Sequence, residues 1–262
     1  MIYRAVDNGW FAISQPAHAM VSGILASQWG NDLFTAPMPR DPVVLATSLH
    51  DIGWSEWDAR PPLHADGRPI NFLETSLDDT NAVWERAIQQ VALLNKYAAL
   101  LVSMHANLVY TRRRERSVDP SDRYELDQRL ARLATFKAQS LERLKNHMQY
   151  NEAITPIRLE ANYRILRACD LLSLAICTRD LTAGTIEDVP SSNLETRVTI
   201  SYAPKDPHTL VLNPYPFSAT EVLVRIEGHI LSQRTFSDEM AFHEALQAAP
   251  LFGQEYRFIA GE

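Results

Sequence analysis

Four side chains that commonly bind metal ions fall within apolar segments of this sequence. In the stretch ATSLHDIGWSEWD, residues 46–58, a histidine and an aspartate are adjacent. Residues three, four and seven positions apart on a helix share a face. By this spacing His18 shares a face with Leu25, and Asp170 shares one with Leu174. The sequence therefore predicts that four side chains point toward an apolar interior, namely His18, His50, Asp51 and Asp170.

These four side chains would suit a buried metal ion. A carboxylate is costly to bury alone, and pairing it with a cation offsets that cost. A single divalent ion held by two imidazoles and two carboxylates would satisfy all four side chains. Mixed nitrogen and oxygen ligands are typical of Mn, Fe, Co, Ni and Zn, and they do not select one of these metals. His105, which follows Ala98 and Leu101 on another predicted helix, is a further candidate.

Each of these residues also has a purely structural interpretation. His18 or His105 could be a core histidine bonded to a backbone carbonyl. Asp170 could pair with Arg167 or Arg164 on its own helix, and the adjacent histidine and aspartate could simply end a helix beside solvent. The metal hypothesis gains weight because all of these residues fall on predicted buried faces within one helical region.

Helices predicted between residues 14 and 180 would have to position these side chains. The first starts at Ser14 and stops at Gly30, and the second starts at Asp41 and ends near Gly53. Further helices are predicted over residues 80–94, 96–110, 122–150 and 157–180. The segment 57–79 is rich in proline and is predicted to be a long loop. Loops of that length are uncommon in compact domains unless they have a role.

Short strands predicted at both ends of the chain complete the fold. IYRAV and WFAI flank an Asn-Gly turn, which predicts a β-hairpin over residues 2–13. The runs RVTISY, HTLVLN, EVLVRI and YRFIA predict further strands, with a helix over 238–249. A lone hairpin is marginally stable in water, so we expect it to join these strands in one small sheet. The predicted fold is mainly α, with a helical core over residues 15–185. Residues 1–14 and 186–262 would form a small α+β subdomain packed on that core.

Composition limits the classes of function. The 262 residues can bury a full core, and 46% hydrophobic with 22% charged residues is typical of a globular protein. The net charge of −7 argues against nonspecific binding to nucleic acid polymers or anionic membranes, because both need a basic surface. The N-terminus lacks a signal-peptide pattern, and no apolar run is long enough to span a membrane. Cys169 and Cys177 are too far apart on one helix for a disulfide. We therefore expect a cytoplasmic protein.

The order of these motifs resembles that of a known superfamily. A histidine, a His-Asp pair and a distant aspartate resemble, over residues 15–180, the HD-domain superfamily of metal-dependent phosphohydrolases. The segments ISQPAH, HDIGWSEWD, LLVSMH and NPYPF extend the resemblance to an uncharacterised bacterial family assigned to that superfamily. The resemblance implies an HD-type helical bundle. Within it, His105 would serve a second metal or the substrate, and the metal ligands would be His18, His50, Asp51 and Asp170.

Two departures from the superfamily's pattern affect the implied chemistry. Many catalytic members have a lysine after the HD-x-G segment, where this chain has Trp54. Others have a general-acid glutamate three residues after the aspartate. That position is also Trp54 here, and Glu56 follows two residues later. The candidate proton carriers are therefore His105 and Glu56. Two-metal members have more histidines than this chain, so we expect one metal, with a second only through His105.

The substrate-binding candidates come from the segment that follows the His-Asp pair. Arg60 and Arg68 could hold an anionic substrate, and Trp54 could stack on a base or simply pack. The basic run at residues 112–116 could meet a phosphate. A solvated interhelical loop explains that run better, because no aromatic residues interleave with its arginines.

The leading hypothesis is a hydrolase that cleaves a small phosphorylated substrate, nucleotides included, by means of a metal-activated water. The second is an iron-dependent oxygenase with a di-iron centre, which needs about six ligands where the sequence offers five. The third is a non-catalytic metal or nucleotide sensor, which the missing lysine and displaced glutamate favour. We expect neither a nucleic acid polymer nor a membrane as partner. The sequence is compatible with a homo-oligomer.

Overall fold

Helices occupy most of the first two thirds of the chain in a computed structural model that describes residues 1–178 and 181–261. Within these residues the α-helices are α1 (Gln15–Gln28), α2 (Arg40–Leu49), α3 (Ser55–Ala59), α4 (Leu77–Leu94), α5 (Lys96–Arg116), α6 (Pro120–Leu144), α7 (Pro156–Cys177) and α8 (Glu239–Ala248). The structure confirms a helix in each of the predicted places. The end of the predicted helix 157–180 falls on residues 179 and 180, which lie outside the described residues. No described helix is both long and apolar enough to cross a membrane.

Capping side chains explain where several helices begin. The Ser14 hydroxyl accepts a hydrogen bond from the backbone N–H of Ala17 (3.1 Å), which starts α1. Asn95 Oδ1 accepts one from the N–H of Ala98 (2.9 Å), which starts α5. Both capping residues have the extended backbone typical of an N-cap. Asn95 also ends α4, so a single residue separates α4 from α5.

The strands form one mixed sheet. They are β1 (Ile2–Val6), β2 (Gly9–Ile13), β3 (Gly184–Pro190), β4 (Arg197–Asp206), β5 (Thr209–Asn213), β6 (Glu221–Leu231) and β7 (Leu251–Ala260). Their order across the sheet is β1-β2-β6-β7-β5-β4-β3. Neighbours are antiparallel except β5 and β7, which are parallel. Phe11 of β2 lies opposite Ile230 of β6, which confirms that the N-terminal hairpin joins the C-terminal strands.

The prediction of a mainly α fold, an HD-type bundle with a small β-rich subdomain, is wrong. The chain is about 52% helical and carries a large curled sheet of seven strands, a half-barrel, which makes it an α/β fold. Two physical reasons account for the error. The predicted strands at 221–226 and 256–260 extend to eleven and ten residues in β6 and β7. β3 was missed because an irregularity between Ile186 and Val189, where Asp188 has a φ of 63°, interrupts its alternation.

The sheet and the helices share buried apolar contacts. One core cluster joins the inner face of the sheet, including Phe11 and Phe258, to Leu25 of α1 and Leu172 of α7. A second cluster packs α2, α4, α5 and α6 together and includes Leu166 of α7. α7 therefore contributes to both clusters. The division of the chain at residues 15 and 185 stays a prediction.

Gly228 of β6 lies close to the backbone of β2. A Cβ atom here would lie 2.4 Å from the backbone oxygen of Ala12 and 2.8 Å from the ring of Phe11. We expect Gly228→Ala to lower the free energy of unfolding by about 1–3 kcal/mol in urea denaturation, the usual effect of overpacking. Gly261→Ala is the control, because its Cβ would lie 3.3 Å from the nearest atom, the Cβ of Asn213. Equal stability of the two variants would contradict this account of the sheet.

Candidate metal centre

The predicted ligands from α1, α7 and the end of α2 come together in the structure. His18 Nε2 lies 3.1 Å from Asp170 Oδ1 and 3.6 Å from Asp51 Oδ2. His50 Nε2 lies 3.5 Å from Asp170 Oδ1 and 3.4 Å from Asp51 Oδ2. All four side chains are buried. Ligands about 2.1 Å from a tetrahedrally coordinated ion lie roughly 3.4 Å from one another. The four atoms are therefore spaced as the ligands of one cation would be.

Hydrogen bonds behind the two histidines fix which ring nitrogen faces the cluster. The Ser173 hydroxyl donates to the carbonyl oxygen of His18 (2.9 Å), so it accepts from His18 Nδ1 (2.8 Å). His50 Nδ1 lies 2.8 Å from the carbonyl oxygen of Thr47, which can only accept. Both rings therefore carry a proton on Nδ1 and can present the Nε2 lone pair. Such outer contacts are typical of histidines that bind metals.

The Nε2 atoms give an independent test of whether a metal fits. Both atoms are buried, and neither has a hydrogen-bond partner among the described residues. The lone pairs on the two Nε2 atoms would repel the two carboxylates that they face, unless a cation or a proton lay between them. The alternative in which Asp170 pairs with Arg167 or Arg164 is not seen among the described residues, where the charged partners of Asp170 are histidines and Arg164 pairs with Glu160 and Asp188. The donor set fits one divalent cation.

Charge pairing within the cluster shifts the pKa values of Asp170 and His50. Burial raises the pKa of Asp170, but the nearby histidines outweigh burial and hold it well below its ordinary value. Burial lowers the pKa of His50, but Asp51 and Asp170 outweigh burial and raise it to about 9. The two carboxylates would thus favour a proton on His50 when no metal is bound. Metal binding would replace that proton.

His105 lies beside the four ligands on α5. Its Nε2 atom is 3.7 Å from Asp170 Oδ2, and its ring centroid is 5.1 Å from that of His50. On its other side the ring packs against Trp84, with centroids 5.5 Å apart. Burial is the largest effect on its pKa, which falls to about 4. The His105 imidazole is therefore neutral at neutral pH.

Buried polar contacts hold the supporting helices in register. The Asn162 side chain on α7 donates to the carbonyl oxygen of Met38 (2.5 Å) and to the hydroxyl of Tyr97 (2.7 Å). It thereby ties α7 to the segment before α2 and to the start of α5. The start of α1 is held by Asp58, whose Oδ2 accepts from the N–H of Gln15 (2.6 Å). These contacts therefore tie together the helices that carry the cluster.

A cavity of about 280 Å³ opens onto the cluster. His18, Asp51, Asp170 and His105 form part of its wall. Most of the remaining wall is apolar, and the cationic side chains that line it are Arg112, Arg113 and Arg167. A small molecule in this cavity could contact the ligand cluster and an arginine at the same time.

The comparisons with known proteins identify a family whose function is unknown. Residues 1–233 match the family model described as "Protein of unknown function (DUF3891)". The chain belongs to this family. Searches of curated proteins and of solved structures found no similar protein. None of these comparisons supports membership in the HD-domain superfamily, so that resemblance stays a hypothesis for the DUF3891 chain.

Several predicted site residues of this DUF3891 protein lie away from the cavity. Glu56 is exposed and forms an ion pair with Arg86. Arg60 is exposed, and Arg68 forms an ion pair with Asp66 (2.9 Å). Glu56, Arg60 and Arg68 do not line the cavity. Trp54, which was also predicted to bind substrate, does line it.

The cationic residues of the cavity were missed as site residues. The arginine run was interpreted as a solvated interhelical loop, which is wrong, because it continues α5 to Arg116. A signal was present in the sequence. Arg112 lies seven residues after His105, and Arg167 lies three residues before Asp170, so each shares a helix face with a member of the cluster.

Ser173 supplies a test of the outer hydrogen bonds. Ser173→Ala removes the acceptor that fixes the His18 ring, so we expect metal affinity to fall by roughly 10- to 100-fold. The measurement is competition with a chromogenic chelator for Zn²⁺ and Mn²⁺. Ser140→Ala, a buried serine on α6, is the matched control and should bind both ions as the wild type does. Unchanged affinity in Ser173→Ala would count against this role.

Proposed function

We propose that this protein hydrolyses a small phosphate ester with one divalent metal ion bound in the cavity. The ligands would be His18, His50, Asp51 and Asp170. The observation that carries the proposal is the pair of buried Nε2 atoms, without hydrogen-bond partners among the described residues, that face two carboxylates. The proposal is also supported by the arginines in the same cavity and by the HD-like order of the ligands along the chain.

Each group in the cavity can be given a role in this reaction. A divalent cation supplies Lewis acidity that polarises a phosphoryl oxygen and makes water more acidic. Asp51 and Asp170 supply the negative charge that retains the cation. His105 lines the cavity beside Asp170, where it can accept or return a proton. Arg167, one helical turn from Asp170, can bind phosphate oxygens.

A metal-dependent sensor is the second candidate function. The observation that favours it is the position of Glu56, which pairs with Arg86 outside the cavity. Trp54 stands where many catalytic members of the resembled superfamily have a lysine. Without Glu56 and without that lysine, His105 is the residue left to transfer protons among the described cavity-lining residues that are not metal ligands. A sensor would bind a phosphate ester and leave it intact.

Asp51→Ala and His105→Ala separate metal binding from proton transfer. We expect Asp51→Ala to lose both metal and phosphoester cleavage, because the carboxylate charge holds the cation. His105→Ala should retain the metal and slow turnover by roughly 100- to 10,000-fold, the usual contribution of a general acid or base. Metal content by mass spectrometry and rates on a panel of phosphate esters and nucleotides measure the two effects. Asp127→Ala, an exposed aspartate on α6, is the control for Asp51.

The same experiment discriminates among the proposals. Full activity in Asp51→Ala would rule out the metal-dependent hydrolase. A metal-loaded wild-type protein that binds phosphate esters and cleaves none of the panel would support the sensor. Purification with iron, together with oxygen uptake, would instead support an oxygenase.

A further inference from the structure

Arg112 and Arg167 face the same cavity as the metal ligands and have no anionic partner within residues 1–178 and 181–261. The Nε atom of Arg167 is buried without a hydrogen-bond partner in these residues. Neighbouring arginines differ in this respect. Arg113 donates to Thr80 Oγ1 (3.0 Å), and Arg114 forms an ion pair with Asp127. Of the described arginines that line the cavity, Arg112 and Arg167 are therefore the ones left to pair with an acidic group of a bound molecule.

The two guanidinium groups also act on one buried hydroxyl. The Tyr163 hydroxyl is buried and has no hydrogen-bond partner among the described residues. Burial raises its pKa above the ordinary value. Arg167 acts to lower this pKa, Glu160 and Asp170 act to raise it, and Arg112 lowers it more weakly.

Along α5 an apolar segment separates Arg112 from the ligand cluster. The cavity-lining residues of this helix occur in the order His105, Leu108, Val109 and Arg112. The seven-residue separation corresponds to roughly 10 Å along the helix axis. Arg167 is only one turn from Asp170. Along α5, a molecule in the cavity would thus meet the ligand cluster first, then an apolar wall, and then Arg112.

We propose that the substrate carries two acidic groups, one bound at the metal ligands with Arg167 and the second bound by Arg112. This proposal rests on the proposed function. The body that joins the two groups would pack against Leu108 and Val109, so it is short and largely apolar or flat. Arg112 is then a specificity-determining residue that selects such substrates over simple monoesters. The second group is an oxyanion, either a phosphate or a carboxylate, since a guanidinium binds both in the same way.

Calorimetric titration of the Mn²⁺-loaded full-length protein with non-hydrolysable phosphonates tests the proposal. Propylphosphonate offers one acidic group, and alkane bisphosphonates of increasing methylene number offer two. Phosphonopropanoate distinguishes a carboxylate from a phosphonate at the second position. We expect the best bisphosphonate or phosphonopropanoate to bind at least about 10-fold more tightly than propylphosphonate. Arg112→Gln should abolish that advantage and leave propylphosphonate affinity unchanged. Arg114→Gln, on the same helix but outside the cavity, is the matched control.

The outcomes separate this inference from the proposed function. If propylphosphonate shows no Mn²⁺-dependent binding, the metal site does not bind phosphoryl groups, and both proposals fail. If it binds but the two-acid probes gain nothing, the second subsite does not exist. If Arg112→Gln weakens propylphosphonate and the bisphosphonate equally, Arg112 contacts the metal-bound group, which also overturns the two-acid proposal.

Discussion

The cost of burying carboxylates among apolar helices is the constraint on which the rest of this structure depends. Asp51 and Asp170 are buried, and each lies within 4 Å of an imidazole nitrogen from another helix. A buried carboxylate without a cation or a donor would destabilise the fold by several kcal/mol. The positions of α1, α2, α5 and α7 satisfy this constraint together. Stability and the capacity to bind a metal therefore have the same structural origin.

The sheet helps to position the candidate metal centre although it contributes none of the candidate ligands. Its curled inner face packs against α1 and α7, the helices that carry His18 and Asp170. The opposite side of α7 packs against the helices that carry His50 and His105. Asn162 and Ser173 add polar contacts at buried positions on α7 itself. Packing in both core clusters thus fixes the position of α7 and, with it, the position of the Asp170 carboxylate.

The helices and four members of the cluster could be predicted because both depend on local spacing. A 3.6-residue period identifies buried faces, and it placed His18 and Asp170 correctly. The size of the sheet could not be predicted, because the parallel pairing of β5 with β7 and the irregular β3 are set by distant contacts. Glu56 was selected by analogy, and Arg60 and Arg68 were selected for their charge and their position in the predicted loop. Their distance from the cavity depends on how the segment after residue 51 turns. Arg112 was missed because α5 was predicted to end too soon.

The pairing of β2 with β6 has a consequence for how the chain folds during synthesis. The hairpin emerges from the ribosome long before its partner strand, which ends at Leu231. At the usual elongation rates of about 5–20 residues per second, the open edge of β2 waits roughly 10–40 s for its partner. Throughout that interval an apolar strand edge is available to other chains. Nascent chains of this protein should therefore depend on chaperones more than the completed fold would indicate.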